Sequence, residues 1–565
     1  MNMSFRVREK NQKRVAKERN LVERSEHAPL KIVLCYPNRY GVGMANLGFQ
    51  RVYQLFNQIE GVYCDRAFYP DPGDEDHHFQ KRVPLLGIES GRPISEFDVV
   101  AFSFAFELDY FNCLKMLAMS GVPARAKERV RDSGRKHRYP LLIAGGIAVS
   151  ANPEPMADFF DLVVIGEAEP VMHNLTELLK KNQEDLQLEE FSKLSNSIES
   201  IYVPSADHSG QGPIIKAAAK ENELPACQQI FSPEMEFAEL GLIELMRGCR
   251  RGCRFCLEGY FYRPAREAGL NSVIAGIEEL RKYRSKLGLI AAVVPDYGKF
   301  KNLLDYLESA GTPFSISSLR IEAINERLVA LLKKSGNQTV TLAPETGLER
   351  ARSLINKKIN EEKILQGMKI IGRCGFERVK LYYQVGFHGC GLEEADGIVE
   401  SVRKIREALE AGSGKNRYPG VVDVGVSVFV PKPWTALQWA GMQGKNELDE
   451  KMKMLREELG RQAGVEIHLD SVREALLQGI IARGDRALGS LLEDVAFNRK
   501  TLNEIIKDKK ILQKYLRPRE KDEVLPWEVI DPGVKKAYLW NEFERGLAGK
   551  TSRGCRSDCL DCGAC

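Results

Sequence analysis

Two runs of alternation constrain what this chain can fold into. From residue 30 to about 189, and again from about 239 to 469, short apolar stretches recur between longer amphipathic ones. Such a rhythm builds parallel sheets, because each crossover helix buries its apolar stripe on a sheet face. The first run predicts strands at 30–36, 62–68, 98–104, 141–144 and 162–165, with a helix over 46–59. Five such strands make a doubly wound α/β domain of Rossmann type. The second run predicts strands at 242–247, 288–294, 313–318, 338–343, 378–385 and 421–430. Six units suit a partial (β/α)6 barrel better than a closed eightfold one, with ligands gathered at the carboxyl ends of the strands.

The domains expected are therefore 30–189 and 239–469, joined by a linker over 190–238 in which Ser, Asn, Gly and Pro are spread and the periodicity weakens. A mainly helical region follows over 470–549, and a cysteine-rich tail over 550–565. Residues 1–29 read as a basic arm, with eight Lys or Arg against three Glu in the first 24 positions. An arm of this charge is a candidate contact for RNA, although a solvated, frayed terminus accounts for it more economically. No apolar run reaches the 18 or so residues of a membrane span and no secretory segment opens the chain, so a cytoplasmic protein without membrane contact is expected.

In a reducing compartment thirteen cysteines point to metal or redox chemistry rather than to disulfides. Six are scattered, and seven fall in two short clusters. The first cluster, RGCRRGCRFC over 247–256, spaces Cys249, Cys253 and Cys256 as C-x3-C-x2-C directly after the first strand of the second run. Three thiolates on a tight loop can hold three irons of an iron–sulfur cube and leave the fourth open. A zinc site would want a fourth ligand from elsewhere.

This loop, with Phe255 before its last cysteine, resembles the signature of the radical S-adenosylmethionine (SAM) superfamily. The resemblance implies a 4Fe–4S cluster whose open iron is chelated by SAM, and reductive cleavage of SAM to a 5′-deoxyadenosyl radical. It further implies that Glu345, in TLAPETGLER, holds the ribose or amino group of SAM, and that Gly386, in VKLYYQVGFHGCG, lets the backbone approach the adenosyl moiety. Relatives commonly read G-L-P followed by Glu at this second place, where the present chain has His388 and Cys390. No catalytic residue is assigned.

The first domain carries NRYGVG over 38–43, which superimposes on the D-x-H-x-x-G loop of cobalamin-binding domains with Asn38, Tyr40 and Gly43 at the named places. Tyr40 stands where those domains place a cobalt-ligating histidine. Ser103, the pair Gly145 and Gly146, ANPEP over 151–155 and IGEAE over 165–169 also resemble the B12-binding-like domain that precedes many radical SAM barrels. With YPNRYGVGMANLGFQ, FDVVAFSFAFELDY, INKK, FVPKPWTALQW and RGDRALG, the chain resembles a bacterial family of B12-binding-domain radical SAM proteins. That resemblance implies a cobalamin-associated transferase and a small radical-SAM-linked partner protein, and a flavodoxin or ferredoxin would serve as electron donor. A sulfur-inserting, rearranging or RNA-modifying enzyme without cobalamin is the alternative, and a non-catalytic metal-stabilised binding module the third reading.

The second cluster spaces Cys555, Cys559, Cys562 and Cys565 as C-x3-C-x2-C-x2-C on a segment too short and polar to fold alone. Four thiolates can close a second 4Fe–4S cluster or bind one zinc, and the compact run favours the cluster.

Overall fold

The computed structural model describes residues 3–129, 139–181, 198–206, 212–414, 418–555, 559 and 561–564. The chain forms two compact units, one made of Met1–Glu239, Ile481–Ile505 and Val524–Pro532, the other of Leu240–Ile480, Ile506–Glu523 and Gly533–Cys565.

The first unit is built on a six-stranded sheet: β1 (Leu30–Tyr36), β2 (Val62–Phe68), β3 (Val99–Ser103), β4 (Leu141–Gly145), β5 (Leu162–Val164) and β6 (Ile201–Tyr202), in the order β2-β1-β3-β4-β5-β6. The first five are parallel, and β6 adds antiparallel to the edge. The β1 sequence LKIVLCY is buried almost throughout, as a strand covered on both faces must be. Every residue of β2 is buried too, including Asp65 and Arg66. Arg66 survives there because Glu18 and Glu89 lie 2.6 and 2.7 Å from its Nη2. The helix Leu47–Gln58 covers β1 and β2 with Phe49, Tyr53 and Phe56, and the Asn46 side chain caps its start by accepting from the Phe49 N–H.

Three expectations change in this unit. Residues 3–15 are a helix whose Arg14 pairs with Asp71 and Glu234, so this part of the arm is docked by ion pairs rather than frayed. The described parts of 190–238 are not a free linker: Ile214–Ile215 pairs with Ile530–Asp531, and Ile230–Phe231 with Arg19–Asn20. Two-residue strands whose partners lie far away in sequence leave no periodic trace. Residues 208–211 of HSGQGP lie outside the described residues. Finally, 470–549 is not one body, since 481–505 and 524–532 join the first unit and the rest joins the second.

The second unit carries seven parallel strands. β7 (Leu240–Glu244), β8 (Lys286–Ile290) and β9 (Phe314–Ile316) form one sheet, and β10 (Thr339–Glu345), β11 (Arg378–Val385), β12 (Val421–Val428) and β13 (Val465–Leu469) the other. A single parallel bridge, Leu319 to Leu342, joins them. Helices such as Glu361–Cys374 and Glu393–Ser413 return the chain between strands. The six-unit expectation thus gains a seventh strand. VEIHL escaped notice because it is an edge strand with exposed Glu466 and His468 between its apolar residues.

Candidate functional site

β7 delivers the chain to the carboxyl end of its sheet. A two-rung ladder of Met246–Arg247 with Arg266–Glu267 then pins the loop that carries Cys249, Cys253 and Cys256. Gly248 and Gly252 precede the first two cysteines, and both take left-handed backbone, at φ 76° and 73°. A Cβ at Gly248 would lie 2.5 Å from the Tyr262 carbonyl oxygen, so this turn requires glycine. Cys253 is buried and is the electrostatic neighbour of both other thiols. Burial pushes the Cys249 thiol up to about 11 and Cys256 up to about 12, so neither would ionise near neutrality without a cation to bind. Among the described residues no three Cys, His, Asp or Glu side chains gather as ligands of a single metal ion. The donor set fits a three-cysteine iron–sulfur cube: three thiols on one loop, with the Arg320 Nη1 at 3.9 Å from the Cys253 Sγ to offset thiolate charge.

The same carboxyl rim collects the other barrel residues. Pro344 cannot donate to the β10 ladder, the register shifts between Leu342 and Glu345, and Glu345 turns to φ 68°. A non-glycine residue so placed stores about 1–3 kcal/mol of strain, a frequent mark of a functional position. The Glu345 carboxylate is buried and accepts from Lys357 Nζ at 2.8 Å and Gln384 Nε2 at 2.9 Å. After β11, Gly386 sits at φ 97° and its N–H donates to Glu394 at 2.7 Å. Phe255 packs on Phe387 and Phe387 on Phe429, at ring-centroid distances of 6.3 and 5.1 Å, so the cysteine loop meets the loops after β11 and β12. His388 is exposed. Cys390 is buried, and its carbonyl accepts from Lys451 and Gln443. Beside the cysteine loop lies a polar cavity of about 320 Å³, with Arg250, Arg251, Arg320 and Lys358 facing Asp296 and Glu322.

In the first unit Tyr40 is 1% exposed, packs edge-on against Phe68 and donates its hydroxyl to Glu18 at 2.5 Å. Gly43 is a packing glycine: a Cβ there would come within 2.7 Å of Phe68. Asn38, after β1, donates to Asp109 at 2.9 Å across the point where the strand order reverses. Ser103 and Gly145 lie opposite each other at the ends of β3 and β4. Gly146, at φ 98°, follows them, and a Cβ on it would clash with the Phe104 carbonyl at 2.5 Å. Of the second cluster, Cys562 is buried and Cys555 and Cys559 are partly exposed, whereas Cys565 lies outside the described residues.

Residues 243–402, which include the cysteine loop, Glu345 and Gly386, match the Radical SAM superfamily. This is a radical SAM domain. Its cofactors are a 4Fe–4S cluster and SAM, and the chain is a radical SAM enzyme. Residues 48–204 match the family described as Radical SAM proteins, N-terminal. An uncharacterized protein of Methanocaldococcus jannaschii is 27% identical over 487 residues, covering 86% of this chain and 95% of that one. Cytidylyl-2-hydroxyethylphosphonate methyltransferase of Streptomyces wedmorensis is 24% identical over 189 residues, covering 32% and 35%. Among solved structures, the radical SAM methyltransferase TsrM from Kitasatospora setae, with cobalamin and a [4Fe-4S] cluster bound, is similar at TM-score 0.49 and 13% identity, covering 83% of this chain and 99% of that chain.

Four residues of the radical SAM domain were not singled out from the sequence. Arg320 follows β9, where only its charge in SSLR could have marked it. Asn356 and Lys357 belong to INKK: Asn356 donates to the Gly252 carbonyl at 3.0 Å, while Lys357 holds Glu345. Arg254, inside the cysteine motif, is fully buried and pairs with Glu542, which no spacing rule could disclose. No helix among the described residues is long and apolar enough to cross a membrane.

Proposed function

We propose that this radical SAM enzyme transfers a methyl or related one-carbon group to an unactivated carbon, with a corrinoid as carrier. The observation that carries the reading is the doubly wound unit on the same chain, whose strand order reverses between β1 and β3, where such sheets hold their cofactors. The methyltransferase of Streptomyces wedmorensis supports it by its name. When bound, a 4Fe–4S cluster with SAM would supply reductive cleavage of a carbon–sulfur bond, and a corrinoid would supply the methyl carrier.

The chain's own residues bind, orient and exclude. Cys249, Cys253 and Cys256 would hold the cluster, with Arg320 offsetting thiolate charge. Glu345, clamped by Lys357 and Gln384, would fix the ribose or amino group of SAM. Gly386 offers backbone without a side chain in the way, and Phe255, Phe387 and Phe429 keep water from the radical. Ser103, Gly145 and Gly146 would hold a corrinoid through small side chains and bare backbone. Tyr40 would give cobalt no ligand, because its hydroxyl is committed to Glu18. A flavodoxin or ferredoxin is the proposed electron donor.

The engagement of Tyr40 favours a second reading, in which the first unit shapes a substrate pocket without cobalamin and the chemistry is sulfur insertion, rearrangement or RNA modification. Anaerobic purification with cobalamin supplied, a visible spectrum and an assay of SAM products separate the two. A corrinoid band with S-adenosylhomocysteine among the products is expected. 5′-Deoxyadenosine alone, from protein free of corrinoid, would establish the second reading.

A further inference from the structure

The helix Met3–Val15 is attached to the first unit mainly by charge. None of its described side chains, Arg6 to Val15, is buried, and Val15, the last of them, packs against the apolar core. Further along the helix the ties are ion pairs: Lys10 with Asp71 at 2.8 Å and with Asp74, and Arg14 with Asp71 at 3.0 Å and Glu234 at 2.9 Å. A helix of 13 residues with no buried face is marginal by itself, and partly exposed ion pairs are individually weak and screened by salt.

Beneath the helix lies a cavity of about 500 Å³ at the carboxyl end of β2. Val7, Lys10 and Arg14 line it from the helix, and Phe68, Leu85 and Ile88, each 8% exposed or less, from below. A polar roof over an apolar floor is not a packed interface, because the space that an apolar helix face would fill is left open. Arg14 also stacks its guanidinium over the Tyr40 ring, 4.4 Å from the centroid, and so covers the loop that follows β1. Carboxyl ends of parallel strands are where a doubly wound sheet takes its ligands.

The chain directly after the helix is held differently. Glu18 is buried against Arg66, whose Nη1 and Nη2 donate to it at 3.1 and 2.6 Å, and it accepts the Tyr40 hydroxyl. Arg19–Asn20 then pairs with Ile230–Phe231. Between the two regimes Ala16 and Lys17 form an exposed turn. Removing Glu18 would strand a buried guanidinium, whereas parting Arg14 from Asp71 and Glu234 releases each of them to water.

We propose that the helix Met3–Val15 is a salt-latched lid, which swings about Ala16 and Lys17 while Glu18 stays anchored and opens the cavity at the carboxyl ends of β1 and β2 to a ligand. Asp71 and Glu234 are the fixed half of the latch, and Lys10 and Arg14 the moving half. Opening uncovers the Tyr40 ring but leaves its hydroxyl on Glu18, so the loop from Asn38 to Gly43 keeps its place while its face toward the cavity becomes accessible. The lid works in this way whether or not a corrinoid is bound, and whichever group is transferred.

The full chain is probed with trypsin, which cuts after Lys and Arg, and with Nile red, a neutral dye that fluoresces in apolar surroundings. Cleavage between Arg8 and Lys17, read by mass spectrometry relative to the exposed pair Arg281 and Lys282, should rise about tenfold from about 0.1 to about 1 M sodium chloride, as the screening length falls from about 10 to about 3 Å. Nile red fluorescence should rise in step. Asp71→Asn/Glu234→Gln should show both high-salt values already at low salt, with the circular dichroism of the rest of the chain retained. Cleavage indifferent to salt, cleavage that rises without dye fluorescence, or a rise in both that accompanies unfolding of the whole chain would each overturn the proposal. If the double variant fails to fold, the salt series on the unsubstituted chain decides by itself. No SAM product is read in this experiment, so failure here and failure of the methyl-transfer reading are distinguishable.

Discussion

Cys253 is the thiol shared by both neighbours in the signature loop, so Cys253→Ala removes one corner of the cluster while exchanging one small buried side chain for another. Reductive SAM cleavage should be lost entirely and the circular dichroism spectrum should not change; 5′-deoxyadenosine still produced by the variant would refute the site. Asp109 makes a second case. Burial pushes its carboxyl up to about 6, the Asn38 amide pulls it down, and Glu107 pushes it up again. A folded-state value above the unfolded one means that the unfolded chain ionises first. Stability therefore falls as pH rises from about 4 to about 6 and stays low above that, by up to about 3 kcal/mol. Asp109→Asn should flatten this dependence and raise the melting temperature at pH 7, as read by calorimetry across that window. At this scale the three cysteines were legible because their spacing is itself the chemistry. Arg254 and Arg320 were not, since an arginine in a sequence says nothing of which carboxylate, carbonyl or thiol will face it.

The loop after β11 is held by a device that belongs to no single element. Glu394, at the start of the helix Glu393–Ser413, accepts from the Gly386 N–H, while Lys451, on the helix Lys445–Gly460, pairs with Glu394 at 2.9 Å, both side chains being fully buried. Lys451→Met would strand a buried carboxylate, at a cost of about 3–5 kcal/mol. The double variant Glu394→Leu/Lys451→Met should recover part of that loss in urea titrations, although it alone should bind SAM more weakly because the Gly386 N–H has lost its acceptor. The strands around this loop show why elements differ in legibility. β11 and β12 were expected because their inward residues are continuous hydrophobes. β13 was not, because its outward Glu466 and His468 dilute a five-residue signal that only pairing with β12 makes a strand.

Across the whole molecule the chain returns to the first unit twice after building the second. Trp527 is fully buried and Leu488 and Leu492 nearly so, and all three belong to the segments 481–505 and 524–532 of the first unit. Asn152 of ANPEP donates to the carbonyls of Ala482 and Gly484, and Arg486 reaches Glu154, so two motifs noticed separately in the sequence are partners. A fragment of residues 240–565 expressed alone should expose these apolar side chains and aggregate, and a fragment of residues 1–239 should melt at lower temperature than the full chain. Co-expression with the 1–239 fragment is expected to return the 240–565 fragment to the soluble fraction, measured by sedimentation. Independent solubility of both fragments would contradict the division of the chain.

Local information was enough for everything set by period and spacing. The alternating apolar runs dictated two stretches of parallel strand-and-helix structure, and C-x3-C-x2-C dictated a three-thiol loop after the first strand of the second. Glycine was forced where the backbone is left-handed, as at Gly386. Only the tertiary structure decided that the arm is docked, that the described parts of the 190–238 segment pair within the first unit, that the helical region is divided between the two units, that Tyr40 is committed to Glu18, and that Cys555 donates its backbone N–H to the Arg250 carbonyl. Burial and partnership between residues far apart in the chain depend on which surfaces meet once the sheets have formed, and no local pattern encodes that.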